Sequence, residues 1–128
     1  MKMNHIGIVV KDIKKALKTY VEDYGHTQAS EILEIENQKV RVVLLNTGND
    51  VHLELIEPSS EDSPVMSSLK RGGGINHICY EVDDIEATYE KFKAKVVRDL
   101  KPAPEEYFKG GRTFFIYRKG DLIEFLEK

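Results

Sequence analysis

NHIGIVVKDI, residues 4–13, and its near copy NHICYEVDDI, residues 76–85, share six of ten positions. Unrelated stretches of this composition would share roughly one position. A second pair of similar stretches joins LELIE at residues 53–57 to IEFLE at residues 123–127. The first pair lies 72 residues apart and the second pair 70, so the 128-residue chain consists of two similar halves.

Each half has the pattern of a strand, a helix and three further strands. Ile6, Ile8 and Val10 alternate with other residues, which is the period of a strand with two different faces. Asp12 follows as a helix cap, and Asp84 repeats it in the second half. We therefore predict an α+β fold of two tandem βαβββ modules, with a curved mixed sheet or open barrel inside and helices outside. The further strands are expected at 28–34, 39–46 and 50–57, and at 96–99, 112–118 and 121–127.

Both predicted helices have an apolar stripe at helical spacing. In the first half, Gly25 stands at the usual stop position. The stripe residues are Ile13, Leu17, Tyr20, Val21 and Tyr24 in the first helix, and Ile85, Tyr89 and Phe92 in the second.

The length of the chain indicates a single domain of residues 1–128. We divide it into module 1 (residues 1–58), a connector (59–74) and module 2 (75–128). Within the connector, Ser63 as N-cap and Pro64 at the first helical position predict a short helix.

Composition excludes several classes of function. The 19 basic and 22 acidic residues give a net charge of −3 without a basic block, which argues against a nucleic-acid partner. Cys79 is the only cysteine, so no disulfide forms within the chain, in keeping with a reducing compartment. No apolar run reaches the length of a membrane span, and the short apolar stretch near the N-terminus ends at Lys11 without a signal-peptide cleavage site. We expect a cytoplasmic protein with no membrane partner.

A histidine in the first strand and a glutamate in the last strand recur in both halves. Taken singly, such a histidine is more often structural and such a glutamate more often faces solvent, and duplication can copy structural residues too. The apolar neighbours of each glutamate place its carboxylate on the strand face that the helix does not cover. If the halves pair about a pseudo-two-fold axis, two imidazoles and two carboxylates converge, a set that suits one divalent ion: Co, Ni, Mn, Zn or Fe. The four candidate ligands are His5, Glu54, His77 and Glu124.

VRVVLLNTGNDVHLELIEPSSEDSPV (residues 40–65) and GGGINHICYEVDDIEA (residues 72–87) carry a resemblance to a known family. The chain resembles the vicinal oxygen chelate superfamily, which includes glyoxalases, bleomycin resistance proteins and dioxygenases, and within it methylmalonyl-CoA epimerases. The resemblance implies paired βαβββ modules and a divalent metal held by His5, Glu54, His77 and Glu124. It also implies a small-molecule substrate and a homodimer.

The same resemblance implies a reaction. A proton would leave the carbon next to a carbonyl group, and the metal would stabilise the resulting enolate or enediolate. Glu124 or Glu54 would act as the base, with Glu124 preferred. His5 and His77 would serve only as metal ligands.

Other functions remain open. A lactoylglutathione lyase (glyoxalase I) would act on a hemithioacetal, and the short turn within residues 117–121 is typical of that enzyme; however, Val9 and Pro58 stand where glyoxalase I binds glutathione. A second alternative is a non-catalytic protein that binds an antibiotic or toxin. Among the enzymes, extradiol dioxygenases rank third, after the epimerase and glyoxalase I. The loop KPAPEEYFKGGR (residues 101–112), which contains Tyr107, Lys109 and Arg112, is expected either to cover the substrate or to be a solvated hairpin.

Overall fold

The computed structural model describes residues 1–104 and 110–128 and contains nine strands and three α-helices in that part of the chain. The chain divides into two compact units, His5–Asn76 and His77–Lys128, the latter together with Met1–Asn4. We call them the first and the second unit. No helix among the described residues is long and apolar enough to cross a bilayer. The predicted α+β class is confirmed.

The first unit contains one βαβββ set with its last long strand beside its first. The elements are β1 (Lys2–Val9, from His5 onward in this unit), α1 (Ile13–Glu22), β2 (Thr27–Gln28), β3 (Leu33–Ile35), a 3-10 helix (Glu36–Gln38), β4 (Val40–Asn46), β5 (His52–Pro58) and α2 (Met66–Lys70). Strand β5 pairs in parallel with β1 and antiparallel with β4, and β4 also pairs with two short strands, β2 and β3.

The second unit repeats this arrangement. The elements are β6 (Gly74–Val82, from His77 onward in this unit), α3 (Ile85–Phe92), a 3-10 helix (Lys93–Lys95), β7 (Val96–Pro102), β8 (Arg112–Arg118) and β9 (Asp121–Glu127). Strand β9 pairs in parallel with β6 and antiparallel with β8, and β8 pairs with β7. The registers match too, because Gly7 lies opposite Glu54 in the first unit and Cys79 lies opposite Glu124 in the second.

Each main helix begins at the predicted aspartate. The Asp12 side chain accepts a hydrogen bond from the backbone N–H of Lys15 at 3.1 Å, and the Asp84 side chain accepts one from Ala87 at 3.0 Å. These bonds satisfy backbone donors that the first helical turn leaves without an intrahelical partner. The apolar stripe of each helix then packs on one face of its own strands. The core residues are Ile13, Val43, Leu45 and Leu55 in the first unit, and Val82, Ile85, Phe114, Ile116 and Phe125 in the second.

An arginine–glutamate pair lies on the last two strands of each unit. Arg41 donates to Glu57 at 2.8 Å, and the same carboxylate accepts the backbone N–H of Ile13 at the start of α1. Arg112 binds both oxygens of Glu127, at 2.9 and 2.8 Å, and a third bond reaches Glu86 on α3. The hydrogen bonds from Arg112 hold the pKa of the Glu127 carboxyl below its ordinary value. The pairs therefore connect the beginning of each helix to the strands beneath it.

The predicted strand at 28–34 is broken into β2 and β3. Gln28 lies opposite Leu45 and Leu33 lies opposite Val42, so four residues of the edge face only two of β4. The Leu44 N–H donates to the hydroxyl of Ser30 at 2.9 Å, where a regular strand would offer a backbone carbonyl. The serine side chain thus replaces the strand partner and interrupts the edge.

Two helix predictions also differ from the structure. Tyr24 is 61% exposed because it lies beyond α1, which ends at Glu22, and Val21 in the last turn of α1 is 38% exposed. The connector helix begins at Met66, without Ser63 as its N-cap. A turn precedes it, in which the Met66 N–H donates to the Ser63 carbonyl at 3.0 Å.

Candidate metal centre

The first unit places a buried imidazole beside a carboxylate. His5 is on β1 and Glu54 is on β5, where Glu54 lies opposite Gly7. His5 is therefore the diagonal neighbour of Glu54, a distance that long side chains can bridge. The His5 Nε2 lies 3.6 Å from the Glu54 Oε1, and the two side chains are 1% and 12% exposed.

The second unit places the same pair at the same positions. His77 on β6 is two residues before Cys79, which lies opposite Glu124 on β9. The His77 Nε2 lies 3.3 Å from the Glu124 Oε1, and both side chains are buried. The His77 and Phe115 rings pack in a T-shaped arrangement, with their centres 5.4 Å apart.

A hydroxyl group fixes the carboxylate of the second unit. Thr113 Oγ1 donates to Glu124 Oε2 at 2.6 Å, and it also lies 2.9 Å from the carbonyl oxygen of Phe125. Thr113 is fully buried on β8, two residues before the residue opposite Glu124. Val42 holds the corresponding position on β4. Thr113 was not predicted as a site residue, although it is a polar residue directly before the apolar run FFI at 114–116.

The donor atoms of both pairs suit a divalent metal. Imidazole nitrogen and carboxylate oxygen are the usual ligands of Zn, Co, Ni, Mn and Fe. Two such ligands, each about 2.0–2.2 Å from one ion, lie roughly 3 Å apart. The observed separations of 3.3 and 3.6 Å are close to that distance. Each unit therefore holds a histidine–glutamate pair that fits two ligand positions of an ion.

The structure also shows what surrounds two other residues named from the sequence, Cys79 and Arg112. Cys79 is fully buried against Ala103 and Leu126, as expected of a small apolar side chain. Arg112 belongs to the loop expected either to cover the substrate or to form a solvated hairpin, and its guanidinium binds Glu127 and Glu86. The other two loop residues, Tyr107 and Lys109, lie outside the described part of the chain.

One cation, Arg98, lies on the strand face that carries Phe115 and Glu124 and was not predicted as a site residue. Arg98 lies opposite Phe115, and Phe115 lies opposite Glu124, so the three form a row across β7, β8 and β9. The Arg98 guanidinium is 4.8 Å from the centre of the Phe115 ring. Burial lowers the pKa of Arg98, and the negative charge of Glu124 acts in the opposite direction. No sequence signal marked Arg98, because alternation along its strand does not place it on this face.

Comparison with known families agrees with this geometry. The sequence profile of the Glyoxalase/Bleomycin resistance protein/Dioxygenase superfamily matches residues 4–117. The chain belongs to this superfamily. The predicted resemblance is thereby confirmed.

Relatives of this superfamily member have named activities. A mitochondrial methylmalonyl-CoA epimerase of Homo sapiens is 35% identical over 96% of this chain and 72% of its own. An ethylmalonyl-CoA/methylmalonyl-CoA epimerase of Cereibacter sphaeroides is 33% identical over 96% of this chain and 95% of its own. A variant of the Streptomyces coelicolor methylmalonyl-CoA epimerase, in complex with 2-nitronate-propionyl-CoA, has a TM-score of 0.84 and 27% identity, covering 100% of this chain and 97% of its own. The expectation of an enzyme of the glyoxalase superfamily is confirmed.

Proposed function

We propose that this protein is a divalent-metal-dependent epimerase that acts on a methylmalonyl-CoA-type thioester. The observation that carries the proposal is the same histidine–glutamate pair in both units, at 3.6 and 3.3 Å. The relatives named as epimerases of methylmalonyl-CoA supply the substrate class.

The proposed ligands of a single ion are His5, Glu54, His77 and Glu124. The ion is Co, Ni, Mn, Zn or Fe, all of which accept imidazole and carboxylate together. When bound, it supplies a positive charge that stabilises the developing negative charge on a substrate carbonyl oxygen. The burial of both histidines supports this role, because charge stabilisation is stronger where water is excluded.

The two carboxylates are the proposed acid and base. An epimerase must remove the proton on one side of the carbon and return it on the other, so it needs a group on each side. Glu54 and Glu124, one from each unit, are the proposed pair of groups. We infer that Glu124 is the base for one epimer and Glu54 for the other. The Thr113 hydroxyl donates to Glu124 Oε2 and so restricts the orientation of this carboxylate.

The proposal is tested by proton exchange. The protein is prepared without a histidine tag, stripped of metal, reloaded with one divalent ion and given racemic methylmalonyl-CoA in deuterated water. We expect incorporation of deuterium at the α-carbon, loss of exchange with chelator, and loss in His77→Ala. His26→Ala is the matched control, because His26 packs on Tyr20 near the end of α1, away from the paired carboxylates.

Other outcomes contradict the proposal and identify the alternatives. Conversion of a hemithioacetal of methylglyoxal, without exchange of the thioester, would identify a lyase like glyoxalase I. Metal content that is low and equal in the native protein and His77→Ala, with no turnover of either substrate, would identify a non-catalytic binding protein.

The homodimer and the cytoplasmic location stay predictions. Light scattering coupled to size-exclusion chromatography tests the first, since a dimer doubles the mass of 14.7 kDa. Localisation of the tagged protein in its own cells tests the second.

A further inference from the structure

Strand β7 has an irregularity on each side of Arg98. Val96 pairs with Ile116 and Arg98 pairs with Phe115, so two residues of β7 span one residue of β8. A second register shift follows between Arg98 and Lys101. Shifts of this kind turn a side chain from one face of a sheet to the other.

The shifts separate Arg98 from its neighbours. Val96 and Leu100 both pack against the core beneath α3. Regular alternation would place residue 98 with them. Arg98 instead lies over the Phe115 ring, on the face that carries Glu124 and His77. The fold therefore directs one guanidinium to the face of the proposed catalytic carboxylate.

The surroundings of the Arg98 guanidinium favour the binding of an anion. Arg98 is half-buried, and covering a charge is costly unless a partner compensates for it. No carboxylate lies within ion-pair distance of Arg98 among residues 1–104 and 110–128. Its guanidinium lies over the Phe115 ring, and the negative charge of Glu124 acts on it. A planar guanidinium binds a carboxylate through two parallel hydrogen bonds.

We propose that Arg98 binds the carboxylate of a substrate whose α-carbon also carries the thioester, and that it thereby selects 2-carboxyacyl thioesters over plain acyl thioesters and hemithioacetals. This inference rests on the proposed function and adds a specificity residue to it. Loss of the α-proton puts a second negative charge beside that carboxylate, so a fixed cation favours the charged state of the reaction.

The first unit offers no such cation at the matching place. Leu44 corresponds to Phe115, since each lies opposite the glutamate of its unit. The edge residues that bond to Leu44 are Ala29 and Ser30. Recognition of the carboxylate is therefore confined to the second unit.

Two unreactive probes test the proposal by binding alone. Dimethylmalonyl-CoA and pivaloyl-CoA both lack an α-proton and differ only by a carboxylate in place of a methyl group. We expect the native, metal-loaded protein to bind dimethylmalonyl-CoA about 10- to 100-fold more tightly in calorimetric titration, the range for a hydrogen bond to a charged group.

Three variants test whether Arg98 causes the preference for dimethylmalonyl-CoA. Arg98→Met keeps an unbranched side chain against Phe115 and should bind both probes with nearly equal affinity. Arg98→Lys keeps the charge without the planar fork and should retain part of the preference. Arg118→Met removes an exposed arginine at the end of β8 and should keep all of it. Thermal unfolding of each variant shows that it is folded.

The outcomes separate this inference from the proposed function. Equal binding of both probes by the native protein, or an undiminished preference in Arg98→Met, would overturn the role of Arg98, even if methylmalonyl-CoA exchanges its proton. A preference that disappears in Arg98→Met supports the role of Arg98 even if the exchange assay fails, because probe binding requires no chemistry.

Discussion

The two units share a topology but not every side chain. Both have the same strand register, an aspartate cap and an arginine–glutamate pair at the helix start. Both also have a histidine–glutamate pair on the strand face that the helix does not cover. They differ around the glutamate: Thr113 replaces Val42, and Arg98 has no charged counterpart at the Ser30 edge. The common features serve the fold and the proposed ligand set, whereas Thr113 and Arg98 occur only in the second unit.

The largest expected effect tests the equivalence of the two histidines. His5→Ala and His77→Ala should each weaken metal binding by more than about 100-fold and abolish proton exchange, because loss of a ligand exceeds the usual effect of changing a residue behind one. Metal content after dialysis and competition with a chelator measure the affinity. If one variant keeps native affinity, the ion is held by one unit alone.

The next effect concerns the hydroxyl found only in the second unit. Thr113→Val copies the residue of the first unit and should cost about 1–3 kcal/mol in stability of the metal-free protein, because a buried carboxylate loses its donor. Metal affinity should fall about 10- to 100-fold. Denaturant unfolding and chelator competition measure the two effects.

Thr113→Ser is the matched control for this prediction. It keeps the hydroxyl and loses a methyl group, so it should recover most of the metal affinity. Native affinity in Thr113→Val would show that the bond to Glu124 has no influence on the ligand set.

A smaller effect tests the caps. Asp12→Ala and Asp84→Ala should each lower the free energy of unfolding by about 1 kcal/mol, because each removes one side-chain acceptor from a first helical turn. Urea unfolding measures both, and the asparagine variants should lose less. A clearly unequal result would show that the two helices do not contribute equally to stability.

The smallest effect is a pH dependence in the second unit. Arg112 holds the pKa of Glu127 below its ordinary value in the folded protein. This stabilisation is present above the ordinary pKa and is lost as the pH falls through the lower folded value. The Tm of Glu127→Gln should therefore approach that of the native protein between about pH 6 and about pH 3. A constant difference in Tm over this range would contradict the prediction.

Much of the fold could be predicted from the repeat. The six shared positions placed the first strand, the cap and the start of the helix in both halves, and the structure confirms them. The long strands were predicted to within a few residues of their observed bounds. The broken edge at 28–34 could not be predicted, because it depends on Ser30 meeting the Leu44 N–H from another strand.

Part of the candidate site also followed from the sequence. The face of Glu54 and Glu124 could be deduced from their apolar neighbours, which pack beneath the helices as expected. Thr113 could not be assigned to Glu124, because the contact requires the antiparallel register of β8 and β9.

The sequence by itself determined the duplicated βαβββ pattern, the helix caps and the histidine and glutamate of each half, because these depend on local periodicity and on similarity between the halves. Only the tertiary structure decided that Thr113 meets Glu124 and that Arg98 faces Phe115. The physical reason is that alternation assigns faces only while neighbouring strands advance residue for residue. Where β7 gains residues on β8, its partner strand decides where the side chain lies.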